Sequence, residues 1–226
     1  MDREALDRHV LEVRGCRRCS TVEPPPILAP PEVWPRVMLV GQAPGPKERD
    51  LGIPFAFTAG SRLFAWFARL GVSEDEFRRR AWICSVLRCF PGRAPQGGDL
   101  PPGPTEMANC RPFLDTEIRL LRPLTVIAVG QSAIQTLLPE PASLQDRVGQ
   151  LFTVEREGHR MEVIPLPHPS GRSTWLVRPE NQERLDRALA LLAGTQGWRE
   201  GFGGPSPTLE RSPSTDSETG QKTRTK

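Results

Sequence analysis

The sequence of 226 residues contains no apolar run of the roughly eighteen residues that a membrane-spanning helix needs. It also lacks a charged segment followed by an apolar one at its start, which is the pattern of a secretory signal. Both absences point away from membranes, and we expect a cytoplasmic protein with no membrane partner. The chain is long enough for one hydrophobic core, so a single folded domain is expected.

Positive charge is in small excess only. The chain has 30 Lys and Arg residues and 27 Asp and Glu residues, for a net charge of +3. This excess favours an acidic partner mildly and does not by itself indicate nucleic-acid binding. Arginine supplies most of the positive charge, and its guanidinium group suits bidentate contact with phosphate.

Short apolar segments bounded by Gly and Pro predict buried strands, with helical patterns between them. The strands are expected at 37–41, 81–87 and 125–129, followed by a hairpin with arms at 151–154 and 161–164 whose second arm enters the sheet. The helices are expected at 2–14, 61–70, 73–80, 105–121 and 181–192. Strands that alternate with helices indicate an α/β protein with a parallel sheet. The run Arg78-Arg79-Arg80 is interpreted as a solvated helix face.

Two loops that follow predicted strands carry groups suited to a binding pocket. The first begins at Gly41-Gln42-Ala43-Pro44-Gly45 and continues through Glu48 and Asp50 to Pro54-Phe55, and the second places His168 after the last strand. Because ligands of α/β proteins bind at the carboxyl edge of the sheet, polar groups and an aromatic face are expected to meet there. A strand-to-helix turn without any ligand has a similar pattern, so the first loop alone leaves both interpretations open.

Histidine is scarce, with three residues, whereas the chain has five cysteines. An odd number of cysteines in a reducing compartment does not indicate a disulfide framework and fits four ligands with one spare thiol. Cys16 and Cys19 form a C-x-x-C turn, which suits a shared metal or cluster or, alternatively, a redox dithiol. The turn follows a predicted helix, whereas a redox pair normally follows a strand, and a metal site is therefore favoured.

The other cysteines extend this interpretation. Cys89 lies at the end of a predicted strand and Cys110 in the first turns of the next helix, so they face one another if the intervening loop folds back. With Cys16 and Cys19 they make a set of four soft ligands, and no histidine stands at a plausible zinc position. Cys84 lies in the middle of a strand and is expected to be buried as an apolar-like residue.

These motifs together resemble the iron–sulfur uracil-DNA glycosylases, the bacterial and archaeal branch usually called family four. The resemblance is carried by GQAPG-x-x-E at 41–48, the later G-x-P-F, the four paired cysteines and the HPSG turn, and it covers roughly residues 2–192. It implies a three-layer α/β uracil-DNA-glycosylase fold, with a four-stranded parallel sheet between helices. It also implies a [4Fe–4S] cluster, structural in role, on Cys16, Cys19, Cys89 and Cys110.

The activity that the resemblance implies is DNA repair. The family hydrolyses the N-glycosidic bond of uracil, and the implied substrate is DNA that contains uracil or another deaminated base, flipped out of the helix by a monofunctional enzyme that we expect to be a monomer. By position, His168 would contact the uracil carbonyl, the Gln42 loop would orient the hydrolytic water, and Phe55 would stack on the base. The candidate catalytic residues are His168 and Gln42, and the candidate substrate-binding residues are Gly41, Ala43, Pro44, Gly45, Phe55, Ser85 and Ser170.

Two residues depart from the family pattern. Gln42 stands where the family has Glu, which leaves no carboxylate there to polarise water, and Ser85 stands where the family has an Asn that reads the uracil edge. Serine offers one hydroxyl in place of the paired donor and acceptor of an amide. Two other classes therefore stay open. One is a non-catalytic iron–sulfur module of the same fold that binds nucleic acid or senses damage, and the other is a four-cysteine zinc or redox protein without a DNA role.

The end of the chain differs in composition from the rest. From Thr195 onward it turns to Gly, Ser, Pro, Thr and mixed charge, with too few apolar residues to offset the entropy of ordering. We therefore predict a uracil-DNA-glycosylase-like domain over 1–194 and a disordered tail over 195–226 that is dispensable for the chemistry.

Overall fold

A computed structural model describes residues 2–138, 140, 143–170 and 174–203 of the protein. Its centre is a five-stranded sheet in the order β2-β1-β3-β5-β4. The strands are β1 (Val37–Gly41), β2 (Ala81–Ser85), β3 (Thr125–Val129), β4 (Phe152–Arg156) and β5 (His159–Leu166). The predicted α/β class and parallel sheet are confirmed, since β2, β1, β3 and β5 run parallel to their neighbours.

The four predicted parallel strands are present, and a fifth strand is added to them. The sheet has a fifth strand because β4, the first arm of the expected hairpin, pairs antiparallel with β5 and extends the edge. Partly buried and exposed residues alternate along β4, as is typical of a strand with one face in water, whereas every residue of β1 is buried.

Helices cover both faces of the sheet. They are α1 (Arg3–Arg14), α2 (Pro46–Leu51), α3 (Thr58–Ala68), α4 (Glu74–Arg80), α5 (Pro104–Leu121), α6 (Gln131–Leu137), α7 (Leu144–Arg147), α8 (Pro179–Gly194) and α9 (Gln196–Phe202), with a 3-10 turn at Trp175–Val177. Among the residues described, no helix combines the length and apolar character that a membrane span requires.

Alternate residues of the parallel strands build two separate hydrophobic cores. Met38 and Val40 of β1 pack with α1, α5 and α6 on one face of the sheet. Val37 and Leu39 pack with α3, α4, α8 and α9 on the other face. Successive side chains of a strand point to opposite faces of the sheet, and here both faces are covered by helices, which gives three layers. The strands are therefore continuous apolar runs in the sequence.

The predicted domain boundary at residue 194 is wrong, because α9 follows it and belongs to the core. Trp198 is 1% exposed, and its ring centroid lies 5.5 Å from that of Phe67. Phe202 stacks on Phe77 at 5.4 Å. Disorder is therefore excluded for residues 195–203, and the rest of the predicted tail, residues 204–226, lies outside the described residues.

We predict that α9 is required for stability. Trp198→Ala should lower the free energy of unfolding by about 3–5 kcal/mol, because it empties a large buried site. A chain ending at Gly194 should lose at least as much free energy of unfolding, whereas a chain ending at Gly203 should be as stable as the full chain. Urea denaturation measures these differences, with Gln196→Ala on the exposed side of the same helix as a control. Equal midpoints for the chains that end at Gly194 and Gly203 would contradict this assignment.

Candidate active site

The carboxyl ends of the parallel strands meet at one edge of the sheet, where candidate site residues follow them. Gly41, the last residue of β1, is the register partner of Ser85, the last residue of β2. Strand β5 ends at Leu166, and His168 follows two residues later. Residues from three separate segments of the chain therefore lie along the same edge.

A cavity of about 340 Å³ opens at this edge. The predicted residues that line it are Gln42, Ala43, Pro44, Gly45, Phe55, Ser85, His168 and Ser170. Glu48 and Pro54 of the first predicted loop also line it, and so do Lys47, Arg93 and Asp99, for which no role was predicted. The structure thus brings the predicted residues together around one cavity, and the chemical role of each stays a prediction.

Gly41 lies beneath the cavity, against the ring of Phe55. A Cβ atom at position 41 would lie 2.7 Å from Phe55 Cζ and 3.4 Å from Ser85 Oγ. Glycine at this position therefore leaves the space that the Phe55 ring fills, beside the Ser85 hydroxyl. The Phe55 side chain is only half-buried, as an aromatic face open to a ligand should be.

The side chain of Gln42 is oriented by a hydroxyl that the sequence analysis missed. Ser132 Oγ donates a hydrogen bond to Gln42 Oε1 at 3.0 Å. Ser132 lies in the first turn of α6, directly after β3, which is the neighbour of β1 in the sheet. A polar residue just after this strand is the only sign in the sequence that Ser132 could reach the cavity. The amide oxygen retains a second lone pair and the amide nitrogen its hydrogens, so Gln42 has both acceptor and donor capacity toward the cavity.

Two carboxylates line the cavity although position 42 has none. Glu48 Oε2 accepts a hydrogen bond from Gly45 N at 3.1 Å. Asp99 Oδ2 is next to the same glycine, because a Cβ atom at Gly45 would lie 3.3 Å from it. Asp50, which the sequence analysis grouped with Glu48, is exposed and pairs with Arg49 at 2.7 Å instead. Asp99 belongs to a loop without a motif of its own, so only the fold places it at the cavity.

The imidazole of His168 is held in one tautomer. Its Nδ1 accepts a hydrogen bond from the backbone N–H of Ser170 at 3.2 Å, so the proton of the neutral ring lies on Nε2. Burial lowers the pKa of His168 below its ordinary value of 6.5, and the Asp99 carboxylate opposes this shift only in part. The ring is therefore neutral at pH 7, and the group it offers to the cavity is an N–H donor.

Comparison with known proteins agrees with this geometry. The sequence model described as "Uracil DNA glycosylase superfamily" matches residues 31–193, which is more than half of the chain. The chain belongs to the uracil DNA glycosylase superfamily. A curated relative from Archaeoglobus fulgidus, named "Type-4 uracil-DNA glycosylase", is 29% identical over 189 residues, covering 81% of this chain and 89% of the relative. A relative of the same name from Thermotoga maritima is 30% identical over 149 residues, covering 66% and 69%.

Membership of the uracil DNA glycosylase superfamily confirms the resemblance drawn from the motifs and the predicted fold class. The matched region contains the whole sheet and every residue named at the cavity. A third relative, the "Type-4 uracil-DNA glycosylase" of Pyrobaculum aerophilum, is 29% identical over 162 residues.

The four cysteines predicted as ligands line a second, smaller cavity on this superfamily member. Cys16, Cys19, Cys89 and Cys110 border it together, whereas Cys84 does not. Burial, together with the three neighbouring thiols, raises the pKa of the Cys89 thiol to about 12. Asn109 Nδ2 donates to Cys19 Sγ at 3.4 Å. The four sulfur atoms therefore share one local environment, at the end of α1, beyond β2 and in α5.

A buried ion pair fixes the elements that carry these cysteines. Arg88, which is 1% exposed, donates from Nη2 to Glu117 Oε2 at 2.6 Å. His9 Nε2 lies 3.4 Å from the other oxygen of Glu117. Arg88 directly precedes Cys89, Glu117 lies on α5 and His9 on α1, so one polar cluster ties together the end of β2 and both helices.

We predict that His168 titrates below 6.5 and is the Nε2–H tautomer at pH 7. The folded protein binds fewer protons here than the unfolded chain does, so protonation of this ring destabilises the fold as the pH falls below 6.5. Nitrogen-15 NMR of labelled histidine, assigned with His168→Gln, measures both the midpoint and the tautomer. A midpoint at or above 6.5, or a ring protonated on Nδ1 at neutral pH, would contradict this electrostatic assignment.

Proposed function

We propose that the chain hydrolyses the N-glycosidic bond of uracil, or of another deaminated base, in DNA. Curated relatives in the superfamily bear the name Type-4 uracil-DNA glycosylase, and this chain spans 89% of the Archaeoglobus fulgidus protein. The observation that carries the proposal is one cavity in which an aromatic face, a hydroxyl and a neutral imidazole N–H donor meet. The partner is then DNA that contains a deaminated base.

The cavity suits a base that has left the double helix. A base inside a duplex cannot reach a pocket at a sheet edge, so the target nucleotide must be flipped out first. The ring of Phe55 then supplies a face for stacking. The Ser85 hydroxyl both donates and accepts hydrogen bonds, and it lies beside that ring, where the polar edge of the base would come.

Bond cleavage needs a donor at the departing base. When the bond between sugar and base breaks, the electron pair goes to the base, and negative charge develops on its ring carbonyl oxygens. The Nε2–H of His168 is a preorganised donor for this charge and needs no prior protonation at neutral pH. Water then adds its hydroxyl to the sugar carbon and gives its remaining hydrogen to the departing base.

Gln42 positions water in this scheme without a carboxylate. The hydrogen bond from Ser132 fixes the amide, whose second lone pair accepts from a water molecule. If the bond to the base breaks before water attacks, the sugar cation is already strongly electrophilic and needs no strong base. An amide at position 42 is then sufficient, and Gln42→Glu should raise the rate little or not at all.

We further propose that Cys16, Cys19, Cys89 and Cys110 hold a [4Fe–4S] cluster. Four soft thiol groups line their cavity together with three arginines, and no acidic side chain among the described residues borders it, which suits an anionic sulfur-ligated group. In the part of the chain that the structure describes, no three ligand side chains come close enough to share one metal ion. When bound, the cluster would cross-link α1, α5 and the segment after β2.

A second candidate function is a module that binds damaged DNA without cleaving it. The observation in its favour is Gln42, whose amide oxygen is already engaged by Ser132 and carries no negative charge. Glu48 and Asp99 line the same cavity, however, so the site does not lack carboxylates. Cleavage of oligonucleotides that contain uracil, hypoxanthine or xanthine separates the two functions.

We predict that His168→Ala slows single-turnover release of the base by a factor of about 10²–10³, since loss of one such donor costs about 3–4 kcal/mol. Affinity for the DNA should change little, because the donor acts where charge develops. His168→Gln keeps an N–H donor and should retain more of the rate than His168→Ala does. A wild-type protein that binds damaged DNA but releases no base from any of the three substrates would favour the binding module instead.

We also predict that Cys84→Ala retains the cluster and that Cys110→Ala loses it. Cys84 lies in the core, where burial raises its pKa to about 12, and it does not border the cysteine cavity. Iron and sulfide analysis of anaerobically purified protein, together with visible absorbance, measures cluster content. Zinc in place of iron, or loss of iron from Cys84→Ala, would overturn the ligand assignment.

A further inference from the structure

Phe55 has a backbone conformation that its side chain disfavours. Its φ angle is +54°, in the left-handed region, which bulky residues occupy rarely and only where the surroundings hold them there. Such strain is concentrated at functional sites, and Phe55 lines the candidate active site.

The main chain at Phe55 is held by the guanidinium group of Arg78. Arg78 Nη1 donates to the carbonyl oxygen of Pro54 at 2.9 Å, and Nη2 donates to that of Phe55 at 2.9 Å. These two carbonyls flank the strained residue. The planar fork of arginine reaches both at once, which the single ammonium group of lysine does with less precision.

Arg78 is itself fixed from other sides. Its Nη2 lies 2.8 Å from Glu74 Oε1, one helical turn earlier on α4, and its Cζ lies 4.6 Å from the ring centroid of Phe64. Its side chain is 20% exposed, so the group is partly shielded from water. The interpretation of 78–80 as a solvated face is therefore wrong for Arg78, although Arg79 is exposed as expected.

A glycine on α3 makes room for the same backbone. A Cβ atom at Gly60 would lie 1.7 Å from the carbonyl oxygen of Phe55, so this oxygen lies where any other side chain would begin. The Phe55 ring in turn occupies the space above Gly41. Contacts on both sides of the loop thus determine where the ring meets the cavity.

We propose that Arg78 is a positioning residue, which holds Phe55 in its left-handed conformation and so presents the ring to the base. This inference rests on the proposed function, since it assigns a stacking role to Phe55. Arg78 lies outside the residues that line the cavity and acts through the backbone of the loop. Arg78 therefore affects the affinity for the flipped base, whereas His168 stabilises the negative charge that develops on the departing base.

The first test measures the loop without substrate. Amide hydrogen exchange within residues 55–58 should be about tenfold faster in Arg78→Ala than in wild type, because two hydrogen bonds to a charged group are lost. The exchange rate of Arg78→Lys should lie between those of Arg78→Ala and wild type. Arg79→Ala, which changes the exposed neighbour, should exchange at the wild-type rate. Unchanged exchange in Arg78→Ala would overturn the proposal. If Arg78→Ala does not fold, Arg78→Lys, which keeps the positive charge, gives the same comparison.

The second test is a double-mutant cycle with Phe55→Ala. Binding is measured to an oligonucleotide whose uracil nucleotide carries a 2′-fluoro group that prevents cleavage, with 2-aminopurine beside it to report flipping. Phe55→Ala should weaken this binding by about tenfold to a hundredfold. Arg78→Ala should weaken it about tenfold in wild type and less than about twofold in the Phe55→Ala background. Additive effects of the two substitutions would show that Arg78 does not act through Phe55.

Failure of the proposed function gives a different result. If wild type releases no deaminated base from DNA, the proposed activity is wrong, whereas the exchange measurement still decides whether Arg78 holds the loop. If wild type releases uracil and the two substitutions are additive, the activity stands and the positioning role is wrong.

Discussion

In a parallel sheet every strand delivers its carboxyl end to the same edge, and the two sites of this protein depend on that constraint. Strand β2 contributes to both, because Ser85 ends the strand at the cavity and Cys89 follows four residues later beside the other cysteines. The buried Arg88–Glu117 pair lies between them and ties this segment to α5. The region of proposed base recognition and the proposed cluster site are therefore mechanically joined through a single short stretch of chain.

Much of the fold could be predicted because it follows from local pattern. The buried strands are apolar in both phases, and Ser73 caps α4 through its contact with the N–H of Glu76 at 3.2 Å, as its sequence indicates. Helix α9 could not be predicted in this way, since Gln196–Phe202 is short and contains two glycines. It forms because Trp198 and Phe202 fill a space left by Phe67 and Phe77, which is a tertiary effect.

The same division applies to the candidate site. Gln42, Phe55, Ser85 and His168 could be placed at one edge because each stands at or shortly after a strand or within the loop that a strand opens. No role could be assigned from the sequence to Ser132, Asp99 or Arg78, because each acts through a partner that is distant along the chain. The partner lies 90 residues away for Ser132, 54 for Asp99 and 23 for Arg78. An arginine beside two others on a helix has the pattern of a solvated face, and only its carbonyl partners distinguish it.

Trp198 is synthesised after every other buried residue of the two cores, and this sets the order in which the two cores close during synthesis. The core around α1, α5 and α6, on the side of the cysteines, has all its residues once Val163 has been made. The core on the other face needs α8 and α9 and stays open until Trp198 emerges. A nascent chain can thus bury Arg88 and gather its cysteines while Phe67 and Phe77 are still exposed, so it is this second face that needs protection from aggregation during translation.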